Sequence, residues 1–512
     1  MANRPLQIGP AVWLSLIIAA LTIGSAAMLA LHADHWHLGP NDWSALRFTL
    51  LQASLSAVLS ALLAIPLSRA LFRRRFPGRN ALIRLLAAPF VLPVVVAVLG
   101  LLSVFGRNGP LNLTFAALGL PQISIFGLHG VVLAHVFLNL PLATRMLLHG
   151  WQAIPSERFR LAQSLGLPPE AQFRHIEAPL LRAQIPGILA AIFLICLTSF
   201  AIALTLGGGP KASTLELAIY QSLRFDFDLG RASLLACLQF LLCAAVTLAA
   251  AKLAMGQGFG AGLDRPLTMP APNGWRRGLD VLAISMAALF LMAPLLAVII
   301  KGLPGMAHLP QGLWLAATRS LIIAVISALI ATATALILSL AALRSRAIEL
   351  AGMLPLAASS LVMGTGLFLM LRPFAPPESL AIPVTILVNA TLTTPYLIRL
   401  LLPETRQLDA DYGRLTQSLG LPPRSALRFV ILPRLARPLG YGAGLAAALS
   451  MGDLGVIALF AGDSGATLPL MVQRLMGSYR MDQAAAAALI LVCLSFALFW
   501  AFDRLGSRYA DA

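Results

Sequence analysis

Two stretches of this chain carry residues spaced for recognition, and one side chain stands where charge is costly. The heptapeptide Gln-Ser-Leu-Gly-Leu-Pro-Pro occupies 163–169 and again 417–423. Ten residues after its glycine each copy has a β-branched residue, and three later a proline: Ile176 and Pro179, then Val430 and Pro433. Nothing in either copy is suited to making or breaking bonds. A helix ended by a glycine that accepts the left-handed conformation, then stopped by Pro-Pro, gives a rigid knob for a partner to grip. The costly charge is Asp453, inside the apolar run 441–460; near the middle of a membrane span a carboxylate costs about 2.5 to 3.5 kcal/mol. At the equivalent place 254 positions earlier stands Ser199, so the charge belongs to one copy only. Asp453 has two readings: it guides a cation along a polar path, or it hydrogen-bonds within the bundle near Gly452 and Gly455. His135 and Asn139, one helical turn apart, line such a path or bond between helices.

Long apolar helices must position these groups. Hydrophobic residues make up 59% of the 512 and charged residues 11%, against about 25% charged in soluble domains. Mean hydropathy is +0.84. The apolar runs suit helices of about 20 residues, not barrel strands. Six runs fall at 11–31, 46–71, 81–105, 127–149, 185–206 and 232–255; six more at 279–300, 315–343, 348–371, 382–402, 441–460 and 484–502. A Gly/Pro-rich linker, 256–274, divides a first unit, 1–255, from a second, 275–512. The expected fold is an all-α membrane bundle of about 12 helices in two homologous six-helix halves.

An even number of spans puts both termini on one side, and 27 of the 37 Lys and Arg residues fall there with both heptapeptide loops, 155–186 and 403–438. By the positive-inside rule that side is the cytoplasm. The net charge of +17 is then a topology signal and an attraction to anionic membrane lipid. It is not a nucleic-acid footprint, because no basic stretch interleaves with aromatics as such binding requires. The four cysteines all lie in apolar runs, which suggests neither disulfides nor a metal. His32, Asp34, His35 and His37 share one outer loop, but Trp36 and Trp43 mark it as an interfacial segment. The Arg73–Arg79 cluster is explained by topology.

Within the loops, Phe159, Ala162 and Leu165, and then Leu408, Leu415 and Leu419, have the spacing of short amphipathic helices at 155–165 and 408–419. The chain has no Gly-x-x-x-x-Gly-Lys-Ser/Thr loop. It is therefore expected to hydrolyse no ATP, to be non-catalytic and to bind no cofactor itself. The longest outer loops, 207–231 and 462–483, hold matching places in the repeat and offer a surface to an external partner; Asp226 and Asp228 meet basic groups there or form a solvated turn.

The spacing glycine, nine residues, Ile-like, one residue, Leu-like, proline is similar to the cytoplasmic signature of permease subunits of binding-protein-dependent ABC importers. The chain resembles it at Gly166, Ile176, Ala178 and Pro179, and at Gly420, Val430, Leu432 and Pro433. It departs where the family has Glu-Ala-Ala, with Arg160-Leu161-Ala162 and Arg414-Leu415-Thr416. Glu157 and Asp411, three residues before each arginine, are the candidates to replace the missing acid.

Further stretches resemble the fused thiamine and thiamine-diphosphate permeases: 73–79, 135–141, 206–210 with 216–221, 452–460 and 477–480, the last containing Tyr479 and Arg480. The resemblance implies the type I importer architecture and transport of thiamine and its phosphate esters across a bacterial inner membrane. It also implies two copies of an ATPase on the docking loops and a periplasmic solute-binding protein on the outer face, where Asp226, Asp228, Tyr479 and Arg480 lie. Ferric iron, polyamine or another small solute is the alternative cargo. A secondary transporter is the alternative class, but it calls for several intramembrane carboxylates and no duplicated docking loop.

Overall fold

The computed structural model describes residues 8–33, 36–86, 91–209, 212–253, 274–462 and 465–511; the linker 256–274 lies outside them except for Gly274, as do Asp34 and His35. Every regular element among the described residues is helical. Eleven helices there are long and apolar enough to cross a bilayer, and one bent pair makes a twelfth.

The first half comprises α1 (Gly9–His32), α2 (Pro40–Arg73), α3 (Arg79–Leu85), α4 (Val94–Phe105), α5 (Leu128–Gln152), α6 (Ser156–Ser164), α7 (Ala178–Leu197), α8 (Phe200–Leu206), α9 (Leu215–Arg224) and α10 (Leu229–Leu253). The second repeats the order with α11 (Trp275–Gly305), α12 (Leu313–Ala342), α13 (Arg346–Met353), α14 (Ser360–Leu371), α15 (Pro377–Ser418), α16 (Leu432–Met451), α17 (Gly455–Phe460), α18 (Leu468–Gly477) and α19 (Met481–Asp511).

The structure redraws six of the expected helices. The run 81–105 is α3 and α4, with residues 91–93 outside any helix. The run 348–371 is α13 and α14, bent by 93°. A short turn containing Pro355 ends the first piece, and the Ser359 hydroxyl accepts the Val362 N–H (3.1 Å) to start the second. The segments 185–206 and 441–460 are each broken, at Thr198–Ser199 and at Gly452–Leu454. The span 382–402 and the loop helix 408–419 are one 42-residue helix, α15. In the first half the same junction is interrupted before α6, because Pro155 holds an extended backbone and also restricts Ile154. Its counterpart 254 positions on is Asp409, which continues the helix.

At the centre of each half, α2 and α12 turn small and hydroxyl residues inward: Thr49, Ser56, Ala57, Ser60 and Ala64 in one, Ser320, Ser327, Ala328 and Ala335 in the other. Such stripes let helix backbones approach in lipid, where no hydrophobic force drives them together. Several of their leucines, Leu55, Leu62 and Leu329 among them, face outward.

The two halves exchange their first helices. α11 packs on α4 of the first half, and the last turns of α1 pack on α14 of the second. Both crossings depend on glycine: a Cβ on Gly100 would lie 2.7 Å from the Pro294 carbonyl oxygen, and one on Gly366 would lie 2.7 Å from Ser25 Cα. Gly100 and Gly366 hold the same place, the seventh residue, in α4 and α14, so the two crossings are equivalent, while Gly364 faces the Leu459 side chain.

Candidate functional site

Both heptapeptide loops project from one end of the bundle with the same backbone. Gly166 and Gly420 have φ of +63° and +60°, where a side chain would add strain. The Leu167 N–H donates to Ala162 O (2.9 Å) and the Leu421 N–H to Thr416 O (3.1 Å), each closing its helix with a Schellman-type cap. A four-residue helix follows each Pro-Pro, then one π-helical turn, Phe173–Glu177 or Leu427–Ile431, which leads into α7 or α16. Leu161 and Leu165 present an exposed apolar pair on one loop, and Leu415 and Leu419 match it on the other. Leu165 thus faces solvent, not the bundle as its spacing with Phe159 and Ala162 suggested; only Phe159 and Ala162 turn inward.

Around these pairs Glu157, Arg160, Asp411 and Arg414 are all exposed, as a contact surface requires. Glu157 also accepts from the Ser156 hydroxyl (3.2 Å). Ile176 packs on the core and Pro179 is exposed, while Val430 and Pro433 are half-buried.

Under this shared surface the two loops are built differently. In the first, Phe72 stacks on Trp151 (centroids 6.4 Å) and lies tilted against Phe159 (6.5 Å). Their repeat counterparts are Leu343, Thr405 and Gly413, and all three line a cavity of about 580 Å³. The first loop is also tied down by Glu177, 3% exposed, which accepts from Arg69 Nε (2.6 Å) and Arg73 (2.8 Å). Residue 431, its counterpart, is isoleucine.

Sequence reasoning missed Glu177, although the signal was present: an acid inside the loop and surplus arginines at the end of α2. Arg69 and Arg73 serve the loop, Arg74 binds Asp280 of α11 (2.8 Å), and Arg79 donates to Leu71 O (2.8 Å). This cluster therefore has structural partners besides its topological role.

The second pair of equivalent sites lies at the breaks between α7 and α8 and between α16 and α17. Beside the first break, the Ser56 hydroxyl and His135 Nδ1 are 3.4 Å apart, and Asn139 donates to Cys196 Sγ (3.4 Å). Ser199 precedes α8 with no side-chain cap bond. Beside the second break, at the positions of His135 and Cys196, Asn389 donates to Ser450 Oγ (3.0 Å). The Asp453 carboxylate lies beside the backbone N–H groups of Gly455 and Val456 and the Asn389 amide, yet its buried Oδ2 has no hydrogen-bond partner. Asp453 also borders a cavity of about 300 Å³ lined from both halves.

At the far end of the bundle, α9 and α18 are short helices docked by the same device. The Leu215 N–H donates to Thr49 Oγ1 and the Leu468 N–H to Ser320 Oγ, each at 2.9 Å. Asp228 accepts the Arg231 N–H (2.9 Å), and Asp226 pairs with Arg231 (3.5 Å), which also binds Asp42 (2.9 Å). Both aspartates thus have local partners. Phe227 and Tyr479 carry positive φ, 54° and 58°, at the ends of these turns and are highly exposed. Arg480 borders an open cavity of about 700 Å³ with Arg474 and His308.

No family model matches the chain. Individual relatives do. It is 42% identical to the thiamine transport system permease protein ThiP of Salmonella typhimurium, over 100% of this chain and 99% of that one. Against the protein of the same name from Escherichia coli it is 41% identical, over 99% of each. The chain belongs to the thiamine transport permease family. The permease is also 31% identical to the molybdenum transport system permease protein ModB of Azotobacter vinelandii, over 36% of this chain and 80% of that protein. Both heptapeptide loops, both helix breaks and the exchanged first helices of this multi-pass membrane permease therefore lie in the region shared with the thiamine permeases.

Proposed function

We propose that this chain is the membrane subunit of an ABC importer that carries thiamine and its phosphate esters across a bacterial inner membrane. Its two permease units, 1–255 and 275–512, each offer one coupling loop to a separate ATPase, which binds ATP and Mg and docks in two copies. The observation that carries this reading is the pair of loops with one backbone and one exposed leucine pair, Leu161–Leu165 and Leu415–Leu419, in a chain that aligns end to end with thiamine permeases.

The loops face the cytoplasm together with both termini, in keeping with the Lys/Arg asymmetry. A periplasmic solute-binding protein docks at the far end, on α9, α18 and the turns holding Asp226, Asp228, Tyr479 and Arg480. In the coupling helices Glu157 and Asp411 supply the acid that Arg160 and Arg414 displace. Between the halves the cargo passes the helix breaks at Ser199 and Asp453, with His135 and Asn139 shaping the wall of the first half.

Uptake of labelled thiamine at nanomolar concentration, in cells with and without the chain, tests the reading, with thiamine diphosphate, ferric iron and a polyamine as competitors. Chain-dependent uptake blocked only by thiamine compounds is expected; competition by iron or polyamine reassigns the cargo. Glu157→Ala with Asp411→Ala is expected to lower co-purification of the ATPase, and unchanged assembly and uptake would remove those acids from the contact.

A further inference from the structure

The cavity beside Asp453 has a composition that selects its occupant. It measures about 300 Å³ and is walled by the end of α7 from the first half and by α15, α16 and the turn before α14 from the second. None of its lining residues is Lys, Arg or His, in a chain whose net charge is +17. Asp453 is its only charged group, and Thr198, Ser360, Thr393 and Ser450 supply hydroxyls. The one aromatic ring on the wall, Tyr396, is 41% exposed. Arg399, the nearest cation along α15, follows one turn later and is not part of the lining.

The carboxylate is placed for a ligand. Its Oδ2 is buried with no hydrogen-bond partner, and a buried polar atom left unsatisfied carries its full desolvation cost. Asp453 also borders a second, smaller cavity of about 10 Å³, which it shares with Ser320, Thr385 and Thr467. Thr467 Oγ1 is likewise buried without a partner, and the space is close to that of one water. A polar track thus runs from the cavity, past Asp453, to the base of α18 at the far end. In the first half the counterparts pair as Ser56 with His135 and Asn139 with Cys196, and Ser199 stands where Asp453 does, so no carboxylate is present.

We propose that the Asp453 cavity is a transit subsite for a flat organic cation, with Asp453 Oδ2 as counter-charge and Tyr396 as a stacking face. A bare metal ion is a poor fit, since hard cations take six or more oxygen ligands at short range, and the cavity offers one carboxylate in a chamber large enough for a ring. Cation–π contact with Tyr396 adds to the attraction where water is scarce. The identity of the cation as thiamine, whose thiazolium ring is positively charged, rests on the function proposed above; the subsite itself rests on the cavity.

The test uses the full chain in lipid nanodiscs, with labelled thiamine and a neutral thiophene isostere of thiamine as probes. Wild-type protein is expected to bind thiamine at least tenfold more tightly than the isostere. Asp453→Asn is expected to bring the two affinities together. Tyr396→Leu is expected to weaken thiamine more than the isostere, and it stands in if Asp453→Asn does not fold. Equal binding of both probes by wild type, or an undiminished preference in both variants, overturns the subsite. If cells show no chain-dependent thiamine uptake but the purified chain binds N-methylthiazolium in an Asp453-dependent way, the cargo assignment fails and the subsite stands.

Discussion

Seven identical residues cap two loops that rest on different foundations. Beneath the first, three aromatic rings fill the space and a doubly paired glutamate holds the loop against α2. Beneath the second, leucine, threonine and glycine leave about 580 Å³ open, and the loop is instead an uninterrupted extension of its spanning helix. The heptapeptide and the exposed leucine pairs match, and what supports them differs. In the proposed assembly two ATPase copies meet matching leucine pairs on unequal supports: one braced from behind, the other continuous with α15.

The comparison breaks most readily at Glu177. Removing one partner of a buried ion pair costs about 3 to 5 kcal/mol, so Glu177→Ala is expected to lower the unfolding midpoint and raise hydrogen exchange across 156–177 while 410–431 stays as it was. Equal exchange in both loops would mean that the clamp does not brace the first. Next is Phe159→Ala, with an expected cost of about 3 kcal/mol or more from the hole left among packed rings. Truncating its neighbour Leu161, exposed on the same helix, is expected to leave thermal stability almost unchanged and to lower ATPase co-purification.

Gly166→Ala and Gly420→Ala sharpen the comparison from the other side. Each forces a side chain into the left-handed region at about 1 to 2 kcal/mol, and since the caps match, the two penalties are expected to agree within error. A large difference would show that the support reaches into the cap. The smallest effect belongs to Arg406–Glu349, which ties α15 to α13 near the second loop (2.8 Å, side chains 55% and 29% exposed). Exposed pairs contribute about 0 to 1 kcal/mol, so Arg406→Ala is expected to fall well short of Glu177→Ala in the same melting experiment.

A pH dependence sets α9 apart from α18. Glu216 on α9 is fully buried beside the polar side chains of Ser359 and Gln239, and burial raises its carboxyl from 4.5 to about 8. Between those values the folded chain holds a proton that the unfolded chain has lost, so Glu216 weakens stability progressively as pH rises from about 4.5 to about 8. Glu216→Gln is expected to flatten that decline, seen as a melting difference that widens with pH. At the matching place on α18 is Pro469, which cannot titrate.

Much of the fold was legible because membrane helices announce themselves by length and hydropathy, and the repeat fixed their order. The glycines at 166 and 420 were legible for a local reason: the Pro-Pro after each leaves a helix-ending turn as the natural conformation. What escaped depended on contacts far apart in sequence. Glu177 looked like one more loop acid until α2 delivered two arginines to it. The continuity of α15 turned on a single difference, Asp409 for Pro155, that apolar periodicity does not weigh. Asp453 was marked by its charge alone; its setting at a helix break, beside a cavity free of cations, needed three other helices in place.

The exchanged first helices bear on how the chain is made. α4 carries Gly100 to a crossing whose other side is Pro294, so the groove on the first half stays uncovered until the ribosome has delivered nearly two hundred further residues. The second half, by contrast, emerges to find α1 already waiting. Biogenesis is therefore one-sided: the earlier half must be shielded through synthesis of the linker and α11, and a chain cut short before α11 would leave a membrane-buried seam for quality control to recognise.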